Sequence, residues 1–257
     1  MTINRLSDGY RALVQGASRG IGLGFVESLL DDPRCGQVIA CCRQPDQADA
    51  LSELQQRFGD RLRLEALDVT QPSAIQVLAE RLAEEGLELD LLLNVSGLLH
   101  DGDRIQPEKK IEDLDWASLE RVFAVNSLGP ALMMKHFLPR MRRDGHALFA
   151  VLSARVGSIS DNRLGGWYAY RASKAALNQL IKTAAIEAKR RFKSVSLVAL
   201  HPGTTDTDLS RPFQANVPED KLFSRRYAVA RMLDVLADIE PGQSGVFRAW
   251  DGEDIPW

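Results

Sequence analysis

Apolar residues follow two alternating rhythms along this chain. Short, nearly continuous apolar runs are separated by longer stretches with helical spacing, which predicts strands and helices in turn. The run "RALV" (11–14) reads as a strand, followed by a glycine-rich turn and a helix to about Leu30. "GQVIACC" (36–42), "RLRLEAL" (61–67) and "LELDLLLNV" (87–95) are the next strands, with helices at 47–58 and 72–85 between them. Pro72 opens the second helix, where its missing N–H costs little. After a charged loop, "HDGDRIQPEKKIEDLD", a helix is expected over about 116–142 and a strand at "HALFAVL" (146–152). A helix over about 167–192, a strand at "SVSLVAL" (194–200), a helix over about 219–238 and a last strand at "SGVFRAW" (244–250) complete the pattern.

Strands alternating with helices imply parallel strands joined by crossovers and covered on both faces. No repeat, low-complexity tract or linker interrupts the pattern. The expected fold is therefore one α/β domain over 1–257: a doubly wound parallel sheet of about seven strands with helices on both faces. Such sheets bind ligands beyond the carboxyl ends of their strands. Candidate chemistry is therefore sought just after each strand.

Composition narrows the classes. The chain has 257 residues, 45% of them hydrophobic, enough for a substantial core. A formal net charge of -3 leaves no electrostatic footprint for nucleic acid. The basic clusters Arg140, Arg142, Arg143 and Lys189, Arg190, Arg191, Lys193 fall near helix ends, where cations complement the dipole. Three cysteines make no disulfide framework. Cys41 and Cys42 point to opposite faces of a strand, which suits core residues and not a metal site; no metal is expected. The start "MTINRLSDGYRALVQG" lacks the apolar stretch of a signal peptide, and no apolar run nears the ~20 residues that cross a bilayer. A soluble cytoplasmic protein without a membrane partner is expected.

"VQGASRGIGLG" places Gly16, Gly20 and Gly22 between a strand and a helix, with Ser18, Arg19 and Ile21 among them. Glycine allows a tight turn and close backbone approach, and a helix N-terminus attracts a pyrophosphate. A dinucleotide site is expected there. An acid usually ends the second strand where the free ribose of NAD is read. Here Arg43 follows the strand, and Arg19 sits in the glycine turn. Two guanidinium forks suit a 2′-phosphate, so NADP is expected over NAD. After the third strand, Asp68, beside Val69, is placed for the adenine end of the cofactor or for capping the Pro72 helix. After the fourth, "NVSG" supplies Asn94, Ser96 and Gly97. The small residues let a cofactor lie close, and Asn94 serves either the cofactor or the bonding of neighbouring strands.

"YRASK" sets Tyr170 and Lys174 at i and i+4 near the start of a helix, on one face. A nearby ammonium favours the phenolate and is expected to lower the tyrosine pKa toward working pH. A tyrosine so tuned exchanges a proton with a carbonyl or alcohol oxygen while hydride moves at carbon.

"GASRGIG", "NVSG", "VNSLGP", "YRASKAALN" and "HPG" stand in an order and spacing that resembles the short-chain dehydrogenase/reductases across essentially the whole chain. The tail "FRAWDGEDIPW" and the run "GSISDNRLGGWYAYRASKAALN" are similar, more narrowly, to the C-factor (CsgA-like) branch. The resemblance implies a Rossmann-type fold, NADP(H) and carbonyl/alcohol redox chemistry. It makes Tyr170 the acid/base, and Lys174 the group that lowers its pKa and holds the nicotinamide ribose. Asn126 becomes the residue behind the lysine that maintains a water relay, compatible with stabilising a kink in its helix. Pro202 and Gly203 would form the loop beside the nicotinamide carboxamide, with Thr205 or Thr207 bonding the cofactor. It also implies a homodimer or homotetramer paired through 116–142 and 167–192.

Three departures stand out. Gln15 replaces the usual threonine before the first glycine, and "NVSG" replaces Asn-Asn-Ala-Gly. The third concerns the family pattern Ser-Ser-x-x-Gly, whose second serine is catalytic: aligned on Gly157, that position falls on Ala154. Ser153, Ser158 and Ser160 are the candidate replacements, Ser153 the nearest. Because adjacent strand residues face opposite ways, Ser153 serves only if the backbone leaves strand geometry. The expected activity is an NADPH-dependent carbonyl reductase acting on a small ketone or aldehyde. The substrate would lie between the "HDGDRIQPEKK" loop and the 204–218 loop, with Trp167 and Phe213 as apolar walls or as core. Two rivals are an NADP-binding signalling or regulatory protein with little catalysis, and an NAD-using alcohol dehydrogenase.

Overall fold

The computed structural model describes residues 3–102 and 104–257. Seven parallel strands form one sheet: β1 (Tyr10–Gln15), β2 (Cys35–Cys42), β3 (Leu62–Ala66), β4 (Leu91–Asn94), β5 (Ala147–Leu152), β6 (Val195–His201) and β9 (Val246–Ala249). Their order is β3-β2-β1-β4-β5-β6-β9, so the chain winds outward from β1 in one direction and then from β4 in the other. The crevice of this doubly wound Rossmann-type sheet lies where that reversal occurs, between β1 and β4.

Strand alternation feeds two cores. Ala12 and Val14 face a layer built with α1 (Gly20–Asp31), α2 (Asp49–Phe58) and α7 (Arg225–Asp238). Leu13 faces the opposite layer, with α3 (Pro72–Glu84), α5 (Gly129–Phe137) and α6 (Tyr168–Arg191). Cys42 and Cys41 divide in the same way and are buried as free thiols.

The expected 116–142 helix is helical but not uniform. α4 (Trp116–Phe123) widens into a π turn at Ala124–Leu128 before α5 begins. Pro130 explains part of this, because it has no N–H to give the Asn126 carbonyl four residues back. The expected 219–238 helix starts late. Leu222–Phe223 (β8) instead pairs in parallel with Thr204–Thr205 (β7), and Ser224 caps α7 by accepting from Tyr227 N at 3.2 Å. Phe223 packs against Trp250 with 4.4 Å between ring centroids, which holds this segment off the helix. Among the described residues no helix is long and apolar enough to cross a membrane, and no cluster of His, Cys, Asp and Glu could hold a metal ion.

Candidate active site

A cleft of about 800 Å³ opens at the carboxyl ends of β1, β4 and β5. The turn after β1 forms its floor. Gly16 and Gly20 have φ of +85° and +54°, a region unfavourable for residues with a side chain. A Cβ on Gly22 would lie 2.0 Å from the Gly16 carbonyl oxygen, so turn and helix approach in a way only glycine allows. Arg19, the N-cap of α1, makes no side-chain cap, and the helix has no acid in its first turn. The positive end of that helix is therefore uncompensated where Gly20, Ile21 and Gly22 line the cleft, with Ser18 beside them.

Arg19 and Arg43 both line this end. Arg19 Nη1 lies 3.4 Å from Asp208 Oδ2, an exposed pair that ties the glycine turn to the 204–218 loop. Asp68 and Val69 line the cleft as well. Asp68 Oδ1 accepts from Thr70 N and Thr70 Oγ1 at 2.9 and 2.8 Å, so its carboxylate shapes a local turn and does not cap α3.

Ser96 and Gly97 form the wall after β4. Asn94 does not reach the cleft. It is fully buried, and its side-chain amide finds no hydrogen-bond partner among the described residues, neither on the neighbouring strands nor elsewhere. Gln15 does what sequence reasoning did not assign it. Its Oε1 accepts from Ser96 Oγ at 2.6 Å and from Ser96 N at 3.3 Å, so the two departures from the family pattern are partners.

Tyr170 and Lys174 lie at the inner end, on the first turns of α6. Lys174 Nζ is buried, donates to the Leu152 carbonyl at 2.8 Å and lies 5.8 Å from the Tyr170 ring centroid. Asn126 sits behind it in the π turn and outside the cleft lining. Its Oδ1 accepts from Leu98 N at 2.7 Å, and its Nδ2 donates to Leu98 O at 2.8 Å and Ser173 Oγ at 3.0 Å. Asn126 thus pins the loop after β4 to α6. The expectation that the lysine draws the phenol down does not hold here. Burial pushes Tyr170 up to about 12 and Lys174 down to about 7. Both groups lose more by leaving water than they gain from each other at this separation.

The serines separate clearly. Ala154 has φ −152° and ψ 147°, so the chain keeps extended geometry and successive side chains face opposite ways. Ser153 lines the cleft beside Leu152, but its hydroxyl donates to Asn178 Oδ1 at 2.6 Å, one turn beyond Lys174 on α6. Ser158 Oγ accepts from Asp161 N, and Ser160 Oγ donates to the carbonyl of Trp257; neither lines the cleft.

Pro202 and Thr207 reach the cleft. Gly203 and Thr205 do not: Gly203 turns behind Phe223, and the buried Thr205 donates to the Pro202 carbonyl at 3.3 Å. Trp167 is the one non-glycine among the described residues with positive φ, at +51°. Its ring meets Tyr170 edge-on at 6.3 Å and Phe213 at 5.0 Å, and Phe213 meets His100 at 5.7 Å. This aromatic row joins the two loops expected to flank a substrate; Asp103, in the first of them, lies outside the described residues. His201 is half-buried at the end of β6; loss of hydration drives its pKa down to about 4, and it takes no part in the cleft.

The sequence matches the short chain dehydrogenase family over residues 10–218. It is 30% identical over 245 residues to the 1-hydroxy-2-glutathionyl-2-methyl-3-butene dehydrogenase of Rhodococcus sp. (strain AD45), covering 95% of this chain and 98% of that one. Similarity to the C-signal of Myxococcus xanthus reaches 35% identity over 145 residues, or 56% of this chain and 82% of that one. Among solved structures, NADPH-bound carbonyl reductase from chicken fatty liver superposes with a TM-score of 0.86 at 30% identity, covering 98% of this chain and 100% of that one. With the glycine turn, the Tyr170–Lys174 pair and the doubly wound sheet in the family's order, the chain belongs to the short-chain dehydrogenase/reductase family of oxidoreductases.

Proposed function

We propose that the protein is an NADP(H)-dependent carbonyl reductase that converts a ketone or aldehyde to an alcohol. One observation carries this reading: a single cleft has a dinucleotide-type glycine turn and two arginines at one end and Tyr170 with Lys174 at the other. The residues fit the cofactor. The glycine turn packs against α1 and Ser96 more closely than any side chain would allow, the α1 N-terminus lacks a cap or acid, and Arg19 and Arg43 suit a 2′-phosphate. Asp68, Val69, Ser96, Gly97, Pro202 and Thr207 complete the wall along which it would lie.

When bound, NADPH supplies the hydride. Tyr170 holds its proton at working pH, as the acid in a reduction must, and gives it to the carbonyl oxygen as the C–O π pair moves onto that oxygen. Lys174, poised at about 7, stabilises the phenolate left behind when it is protonated. Asn126 keeps the loop after β4 and α6 in register around the pair. Ser153 holds α6 to β5 through Asn178, which leaves Tyr170 as the proton donor assigned to the substrate oxygen.

The rival is an NADP-binding regulatory protein with little turnover. Ala154 at the usual serine position and the similarity to the C-signal favour it. NADPH oxidation across a panel of aldehydes and ketones separates the two. Turnover that disappears in Tyr170→Phe supports the reductase; tight NADPH binding with no turnover on any carbonyl sinks it. We also expect two copies to pair through 116–142 and 167–192, where Leu128 and Ile186 are exposed; a monomeric mass by light scattering removes that expectation.

A further inference from the structure

α6 begins without a cap of its own. Trp167, its N-cap residue, is left-handed and offers no side-chain acceptor. The acceptors come from a loop residue 61 positions away from Ala169. Glu108 takes Trp167 N–H on its backbone carbonyl at 2.6 Å and Ala169 N–H on Oε2 at 3.2 Å. Glu108 is only 5% exposed, and among the described residues its hydrogen bonds go solely to this first turn. A buried carboxylate is costly unless it is hydrogen-bonded, and free N–H groups at the positive end of a helix supply that compensation. The surrounding contacts point the same way. Ala169 packs with Ile105 and Val122 in a small core of its own, docking the Glu108 loop on the helix.

The two residues held by Glu108 are 167 and 169. The first carries the ring that meets Tyr170 edge-on, and the second immediately precedes Tyr170. The same loop supplies His100, Asp101 and Gly102 to the cleft. We infer that Glu108 is a positioning residue for Tyr170, locking the first turn of α6 and the Trp167 ring so that the phenol is held toward the substrate side of the cleft. This rests on the reading of Tyr170 as the acid.

Two variants and two readouts test it. Glu108→Ala removes the side-chain acceptor, whereas Glu108→Gln keeps an acceptor oxygen and removes only the charge. With an active carbonyl substrate, Glu108→Ala should lower kcat roughly 10- to 100-fold while the NADPH Kd stays within about twofold, because misplacing a reacting group costs rate before binding. Glu108→Gln should recover to within about threefold of the parent. A Glu108→Ala kcat within about threefold of the parent overturns the inference, as does a loss shared equally by NADPH binding, or a Gln variant no better than Ala. The second readout needs no turnover. In isotope-labelled tyrosine NMR, with Tyr170→Phe to assign the signal, Tyr170 should titrate nearer the ordinary value of 10.0 in Glu108→Ala and remain raised in Glu108→Gln. A parent inactive on every carbonyl defeats the proposed function. An unchanged Tyr170 titration in Glu108→Ala defeats the role of Glu108.

Discussion

Replacing Ser153 by alanine should cost stability and leave catalysis largely intact. The Ser153 hydroxyl donates to Asn178 Oδ1 at 2.6 Å, and the residues are 4% and 3% exposed, so water is poorly placed to substitute. Asn178 Nδ2 meanwhile holds the Gly157 carbonyl at 3.3 Å, which prevents the amide from turning away freely. Ser153→Ala therefore leaves a buried acceptor without its donor, a loss of about 1–3 kcal/mol. In a chain of this size, about 2 kcal/mol lowers Tm by roughly 4–8 °C. A hydroxyl that donates to the substrate oxygen in the transition state behaves otherwise, and its removal costs about 10²–10³ in kcat. Calorimetry and NADPH oxidation on the same preparation separate the two roles. A hundredfold fall in kcat with Tm unchanged would refute the assignment of Ser153 to Asn178. The companion variant, Ala154→Ser, puts a hydroxyl three residues before Gly157, the usual donor position, and should raise turnover.

The remaining predictions concern the cofactor end and the buried lysine. Unfolded, Lys174 keeps its proton to about 10.5, but folded only to about 7, so the unfolded chain binds more protons between those values and stability rises with pH across that window. Lys174→Met should thus stabilise the cofactor-free protein by roughly 2 kcal/mol or more at pH 6, with the gain shrinking toward pH 10 and catalysis lost; a gain that grows with pH contradicts the burial account. Gly22→Ala should abolish NADPH binding in a fluorescence titration, because its Cβ meets the Gly16 carbonyl at 2.0 Å and the turn must move; affinity within about twofold of the parent would show the turn can yield. Arg43→Ala should reduce the preference for NADPH over NADH about 10- to 100-fold, the worth of a charged hydrogen bond to phosphate. Equal affinity of the parent for both cofactors would overturn the NADP assignment.

Local rhythm was enough to place the glycine turn, the Tyr170–Lys174 face and all seven strands of the sheet. It failed where a partner lies far along the chain. The strand expected at 87–95 shrinks to Leu91–Asn94, because apolar residues such as Leu89 pack without entering the main ladder. Nothing near Leu222 and Phe223 announces that Thr204 and Thr205 will pair with them. The role of the Ser153 hydroxyl depends on Asn178, 25 residues on, and that of Gln15 on Ser96, 81 residues on. The direction of the Tyr170 shift is hidden from the sequence for a related reason. Sequence displays a neighbouring charge but not the depth at which both groups are enclosed, and depth dominates.

The bond between Gln15 and Ser96 also bears on how this chain could have diverged. Each residue departs from the pattern usual in the family, and neither departure is independent, since the glutamine oxygen serves both the hydroxyl and the backbone N–H of the serine. Restoring threonine at 15 alone shortens the side chain that reaches Ser96, and restoring alanine at 96 alone removes one of the two donors to a nearly buried amide. The two sites should therefore couple: in a double-mutant cycle of Gln15→Thr and Ser96→Ala, the stability changes should not add. In an alignment of its kin, Gln15 and Ser96 should come and go together.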